Sequence, residues 1–233
     1  MIHGNAAVAM QFGIECISES LEKLTNDIVE YFSPEGTLVV PTFTYSLTEG
    51  ETYNPKSSPS KVGQFSEIFR QDFRMERTLH PIFSTVVYGS KKDVFLNATI
   101  EDCFGPHTIF DAIFQLDGFI VLLGCGIDRA TFVHYVEQAF NVNYRYMKIF
   151  KGQIACPAPT KIQTTYYVRN LEIASNTNLE KLRARAIAES KLKEANFGRF
   201  RVIAIRARDF YELGQKLLAE DPYSLIDQED SKL

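Results

Sequence analysis

No apolar run in this 233-residue chain approaches the roughly 20 residues that a bilayer-spanning helix needs, so no membrane partner is expected. The start, MIHGNAAVAMQFG, has neither a basic segment nor a long apolar core, which speaks against a signal peptide. Cysteine is sparse: Cys16, Cys103, Cys125 and Cys156 lie far apart with no CxxC pair. That excludes a disulfide framework and a structural zinc, and fits reduced thiols in a cytoplasm. An excess of positive charge is missing as well, with a net charge of −4. Nucleic acid, whose phosphates call for a basic face, is therefore not an expected partner. The small acidic balance suits a cationic or neutral substrate without deciding one. Repeats and low-complexity tracts are absent. His80, His107 and His134 show no metal-ligand spacing, so no metal is expected either.

What is present is a globular composition, 45% apolar and 23% charged. Apolar residues recur at helical spacing over 16–32, and an extended run over 37–45 stops at Pro41. Residues 46–60 read as a long loop, of a length that is usually functional or mobile. Helices are predicted over 61–73, 108–116 and 131–140, and strands over 83–89 and 160–171. The glycine-bounded run GFIVLLG, 118–124, predicts a central strand buried on both faces. The charged stretch 178–198 reads as one solvated helix with i,i+4 pairs, followed by a strand over 199–207 and a closing helix over 207–221. The last dozen residues read as frayed. An α/β single domain follows, with a mixed central sheet flanked by helices. Residues 1–155 form its core, and 156–233 a C-terminal α+β part of the same domain.

One segment carries chemistry. In TFVHYVE, 131–137, a histidine and a glutamate stand three residues apart on an amphipathic helix. Phe132, Val136, Ala139 and Phe140 cluster on one face, with Thr131, His134 and Gln138 opposite and Glu137 on the flank. Gly124 and Gly126 allow a tight turn before the helix, and Asp128 is its expected cap. His134 and Glu137 can touch, because positions i and i+3 are neighbours. The plain alternative is a solvated helix face. Favouring function, the helix follows the carboxyl end of the central strand, where open α/β sheets bind ligands. A carboxylate on one ring nitrogen fixes the tautomer and stabilises the imidazolium formed when the other takes a proton. The pair suits a general base, and the spacing alone names no nucleophile.

TFVHYVE resembles the Thr-x-x-His-Tyr-x-Glu segment of the aminoglycoside N(3)-acetyltransferase family, the antibiotic N-acetyltransferases. GTLVVPTFTY, NPKSSPSKVGQFSEIFR, RTLHPIFSTVVYG, FGPHTIFDAI and YRYMKIFKG are similar to the family in the same order. The resemblance implies that family's own α/β fold, acetyl-CoA as donor, and a small-molecule amine as acceptor. It makes His134 the base and Glu137 its partner. Thr131 would bond the thioester region or merely back-bond to its helix. Arg77 in RTLHP would hold a CoA phosphate, with a surface arginine as the alternative. His80 and Ser84 would line the CoA cleft, though a structural hydrogen bond serves His80 equally. Asn5 stands, with Ala6 and Ala7, where the family has hydroxyl residues that help bind CoA, so donor affinity is the property this departure bears on.

Tyr144, Arg145, Tyr146 and Lys148 would hold an adenine or sugar ring, or simply belong to an amphipathic strand. His107 would cap a helix or face solvent. Cys125, in the turn before the helix, is the residue a thiol-dependent hydrolase would use; a small buried hydrophobe is the alternative. Glu49, Glu51, Glu101, Asp102 and Asp111 are too scattered to form an acidic lining for a polycationic drug, which favours an amino sugar, nucleotide-linked or free. An aminoglycoside-modifying resistance enzyme and a non-catalytic CoA- or nucleotide-sugar-binding relative are the rival readings. A homo-oligomer stays open.

Overall fold

The apolar run at 119–123 sits inside a mixed sheet in a computed structural model that describes residues 1–32, 35–156 and 158–227. In chain order, β1 (Ile2–Gly4) leads through a 3-10 turn (Ala6–Phe12) to α1 (Ile17–Phe32) and β2 (Thr37–Pro41). Then come α2 (Gln64–Gln71), β3 (Glu76–Arg77), β4 (Thr85–Gly89), α3 (Lys92–Leu96) and α4 (Ile109–Gln115). Strand β5 (Phe119–Leu123) runs into α5 (Val133–Phe140), followed by the hairpin of β6 (Arg145–Ile154) and β7 (Thr160–Arg169). Last are β8 (Asn176–Thr177), α6 (Glu180–Ala188), β9 (Leu192–Phe197), β10 (Phe200–Arg206), α7 (Ala207–Glu220) and β11 (Ile226–Asp227). No described helix is long and apolar enough to cross a membrane.

The main sheet has the order β1-β5-β10-β9, with β1 parallel to β5 and both β10 pairings antiparallel. A three-stranded antiparallel sheet, β2-β4-β3, is separate from it. Alternation along β5 sends Ile120 and Leu122 into one core, with Phe132, Val136 and Phe210. Val121 and Leu123 face a second core, built by α1 and α2 through Leu21, Leu24, Phe65 and Phe69. Helices thus cover both faces, although Phe119 at the start of the strand is 39% exposed.

The stretch 178–198 corrects the reading of a single helix. It is helical only to Ala188; Ser190 turns the chain at φ 56°, and 192–197 pairs with β10 as an edge strand. Its Ala, Leu, Lys and Glu residues favour helix, but propensity is a weak prior that tertiary context overrides, and the edge of β10 offers 192–197 a full hydrogen-bond ladder. The charges accordingly pair between elements, Arg183 with Glu194 at 2.7 Å and Arg185 with Glu220 at 3.0 Å. The loop at 46–60 is tied down at Tyr53, which is fully buried, bridges Ile154 and donates its hydroxyl to Thr78 O. The expected fraying includes residues 228–233, which lie outside the described residues, while Ile226 and Asp227 pair with β8.

Candidate active site

After β5 the chain turns at Gly124, whose φ of +70° suits glycine, whereas Gly126 sits at an ordinary −72°. Asp128 does not cap α5. Its Oδ1 accepts the Leu179 N–H at 2.6 Å, because α5 begins five residues later, headed by Phe132 without a side-chain cap. Phe132, Val133 and Val136 are buried, Ala139 is exposed, and Glu137 is buried in its place. The buried stripe is thus rotated from the one expected. A carboxylate can occupy it because three partners satisfy the charge.

Those partners are explicit. Glu137 Oε2 lies 2.6 Å from His134 Nδ1 and 2.7 Å from Arg145 Nε, while Oε1 accepts the Tyr144 hydroxyl at 3.0 Å. Burial alone would raise the Glu137 carboxyl; His134, Arg145 and Tyr144 outweigh it and hold the group below the ordinary carboxylate value. His134 is lowered from its usual value chiefly by burial, then by Arg145, with Glu137 opposing. The imidazole is neutral at neutral pH, its Nδ1–H donated to Glu137. Nε2 makes no hydrogen bond among the described residues, and the side chain remains 18% exposed. Phe104 packs against the ring, centroids 5.3 Å apart.

Tyr144 and Arg145 were legible only as an aromatic and a cation in NYRYMKIF. They hold no ring: both are buried on Glu137, with Arg145 NH1 also donating to Tyr167 O at 3.4 Å. Phe104 opens the stretch FGPHTIFDAI, but nothing in the sequence placed it against His134.

A cavity of about 880 Å³ opens at the carboxyl ends of the parallel strands β1 and β5. Asn5, Tyr45, Ser66, Cys125, Arg129 and Thr131 are on its wall. His134 is not, but stands one helical turn beyond Thr131. Asn5 also accepts the Ala7 N–H at 3.0 Å, capping the first 3-10 turn. The other three expected CoA contacts are engaged elsewhere. Arg77 donates to Thr42 Oγ1 and to the carbonyls of Thr42, Pro55 and Ser58, so its fork clamps a loop. His80 Nδ1 accepts the amides of Ile82 and Phe83, and its Nε2–H reaches Asp102 O at 3.1 Å. Ser84 is fully buried and donates to Thr42 O. His107 is exposed, with a left-handed backbone at φ 64°.

Cys125 Sγ is 3.6 Å from His3 O, and burial pushes the thiol up to about 11 despite the nearby Arg129 charge. It is a neutral thiol at neutral pH, unlike the activated cysteine a hydrolase needs. Glu49 and Glu51 engage Lys61; Asp102 binds Gln138; Asp111 accepts from Tyr135. None of these carboxylates is on the cavity wall.

Over 114 residues the chain is 29% identical to aminoglycoside N(3)-acetyltransferase IV from Salmonella sp, a match covering 48% of this chain and 42% of that protein. The chain spans about half the length of the curated relatives it matches, 49% and 42%. In fold it is similar to AAC-VIa with bound sisomicin (TM-score 0.79, 17% identity, covering 94% of this chain and 90% of that one). It is also similar to AAC-IIIb in a binary complex with CoASH (TM-score 0.77, 15% identity, 94% and 89%). The sequence profile of the aminoglycoside 3-N-acetyltransferase family matches residues 11–219, and the chain belongs to that family.

Proposed function

We propose that the protein is an acetyl-CoA-dependent N-acetyltransferase that acetylates a primary amine of an amino sugar. The observation that carries this reading is His134, held through Nδ1 by a buried carboxylate, one helical turn from a wall residue of a large cavity. In the reaction the amine nitrogen attacks the thioester carbonyl carbon while Nε2 takes a proton from that nitrogen. The C–S bond then breaks, the thiolate leaves and is protonated, and the products are the amide and free CoA. Glu137 stabilises the transient imidazolium, a role for a buried carboxylate on the far ring nitrogen. Thr131, on the cavity wall one turn before the base, would help to orient the thioester. The oxyanion needs N–H donors already aimed at it.

The only carboxylate on the wall among the described residues is Asp128, which is engaged with Leu179 N. Polycationic drugs call for several such groups, so this lining supports a singly charged acceptor over an aminoglycoside. The names of relatives supply the competing acceptor class. The test is CoA release with acetyl-CoA and a panel of amino sugars and aminoglycosides, using wild type and His134→Ala. Turnover on amino sugars that vanishes in His134→Ala, with acetyl-CoA binding retained, supports the reading. Turnover on aminoglycosides alone overturns the acceptor, and acetyl-CoA binding with no turnover on any amine favours a non-catalytic relative.

A further inference from the structure

Five consecutive residues of the cavity wall, Val62 to Ser66, are the entry to α2. Gly63 heads this helix at φ +99°, a conformation that favours glycine, and provides no side-chain cap. Helices usually satisfy their first amides with a Ser, Thr, Asp or Asn at that position. Here the amides of Gln64, Phe65 and Ser66 find no acceptor among the described residues. The Phe65 ring packs directly on Gly4, which holds the helix start over the end of β1.

Two side chains point to the same chemistry independently. Ser66 is only 5% exposed, lies on the cavity wall, and its hydroxyl makes no hydrogen bond among the described residues. Arg129 is on the wall too and pairs with no carboxylate among the described residues, yet its charge acts on the neighbouring wall residue Cys125. Lys61 adds a second cation, shared with Glu49 and Glu51. The first-turn carboxylate of α2, Glu67, is held by Arg70 and by Ser60 N–H and is not on the wall. Backbone amides at a helix N-terminus, a hydroxyl and a free guanidinium are the donor set of a tetrahedral oxyanion.

We propose that the N-terminus of α2, the Ser66 hydroxyl and Arg129 form a phosphate-ester site on the cavity wall, occupied by a phosphate of the donor or of a phosphate-bearing acceptor. The identity of those two ligands rests on the transferase reading; the affinity for phosphate does not. The site takes the part expected of Arg77, whose donors are spent on backbone carbonyls.

Calorimetric titration tests this with four probes: inorganic pyrophosphate, CoA, S-acetylpantetheine and UDP-glucosamine. Wild type is compared with Arg129→Met, Ser66→Ala and Gln64→Pro. Proline at the first helical position removes one amide while suiting the helix, and melting curves report whether each variant is folded. Pyrophosphate is expected to bind wild type, and about tenfold or more weakly in Arg129→Met, the size of a charge-assisted hydrogen bond. Smaller losses in the same direction are expected for Ser66→Ala and Gln64→Pro. If the phosphate belongs to the donor, CoA weakens in parallel while S-acetylpantetheine, which lacks the pyrophosphate, is unchanged. If it belongs to the acceptor, CoA is unchanged and UDP-glucosamine weakens. No pyrophosphate binding, equal binding by all four proteins, or equal losses for CoA and S-acetylpantetheine would overturn the site. Failure of the transferase reading shows separately, as absence of acetyl transfer by wild type, and leaves the pyrophosphate result readable.

Discussion

His134 and Arg145 meet on one atom: Nδ1 and Nε lie 2.6 Å and 2.7 Å from the same Glu137 oxygen, Oε2. The carboxylate therefore cannot devote itself to the imidazolium, and the guanidinium adds repulsion when the ring takes a proton. Both effects favour the neutral ring.

Replacing Arg145 by Met is expected to shift the acid limb of the kcat/KM–pH profile upward, because the guanidinium is one of the causes that lower His134. The groups that face the ring are Glu137, Arg145 and Phe104. In wild type the limb lies below the ordinary histidine value, because burial and then Arg145 lower His134. Arg145 acts through Glu137 and the field rather than on substrate, so an unchanged limb in a folded Arg145→Met would leave it a purely structural role.

Glu137→Gln removes the charge and strands Arg145, whose side chain is only 5% exposed. A loss of about 3–5 kcal/mol in stability is expected, with kcat lower by roughly 10²–10⁴-fold. Tyr144→Phe removes one hydrogen bond to the same carboxylate, at about 1.5–3 kcal/mol, with kcat within roughly tenfold of wild type. Denaturant melts beside steady-state rates separate the two effects. A Glu137→Gln enzyme of normal kcat would rule out the supported-base mechanism.

Phe104 excludes water from one side of His134. Phe104→Ala is expected to cost about 3–5 kcal/mol and to move the acid limb toward the usual histidine value, since burial is the largest cause of the shift. Phe104→Leu keeps an apolar wall and should keep the limb. Identical limbs in Phe104→Ala and wild type would mean that other groups desolvate the ring.

Acid stability turns on His80. Burial lowers it from 6.5 to about 4, and Nδ1 must stay unprotonated to accept two amides. Between these values the unfolded chain binds the proton and the folded chain does not. Stability from this group is therefore complete above pH 6.5 and lost as pH falls toward 4, on the order of 3 kcal/mol in all. His80→Asn keeps an acceptor near Nδ1 and cannot be protonated, so its melting temperature should fall less between pH 6.5 and 4. Parallel curves would assign the acid sensitivity elsewhere, for example to half-buried His3, lowered to about 3.

The site was legible where it is local. His134 and Glu137 face each other because three residues along a helix bring side chains to one side, and Thr131 precedes them by a turn. The partners that give the pair its properties come from elsewhere: Phe104 from the loop before α4, and Tyr144 and Arg145 from the chain entering β6. The sequence showed that an aromatic and a cation follow α5, but not that they turn inward. Arg77 illustrates what sequence alone does not show. A guanidinium near a ligand cleft reads as a phosphate binder until the carbonyls that claim it, from Thr42, Pro55 and Ser58, are brought together by folding.

Periodicity and composition alone determined the α/β class, the apolar strand β5, the helix that carries His134, and the touching of His134 with Glu137. These depend on contacts within a few residues, and helix and strand geometry dictate such contacts wherever the sequence is placed. Tertiary structure decided that 192–197 joins an edge of the sheet instead of extending α6, that Glu137 lies inside rather than on a flank, and that Arg145 shares its oxygen. Each of these depends on which distant backbone groups and charges remain unpaired once the layers pack, and that balance exists only in the folded chain.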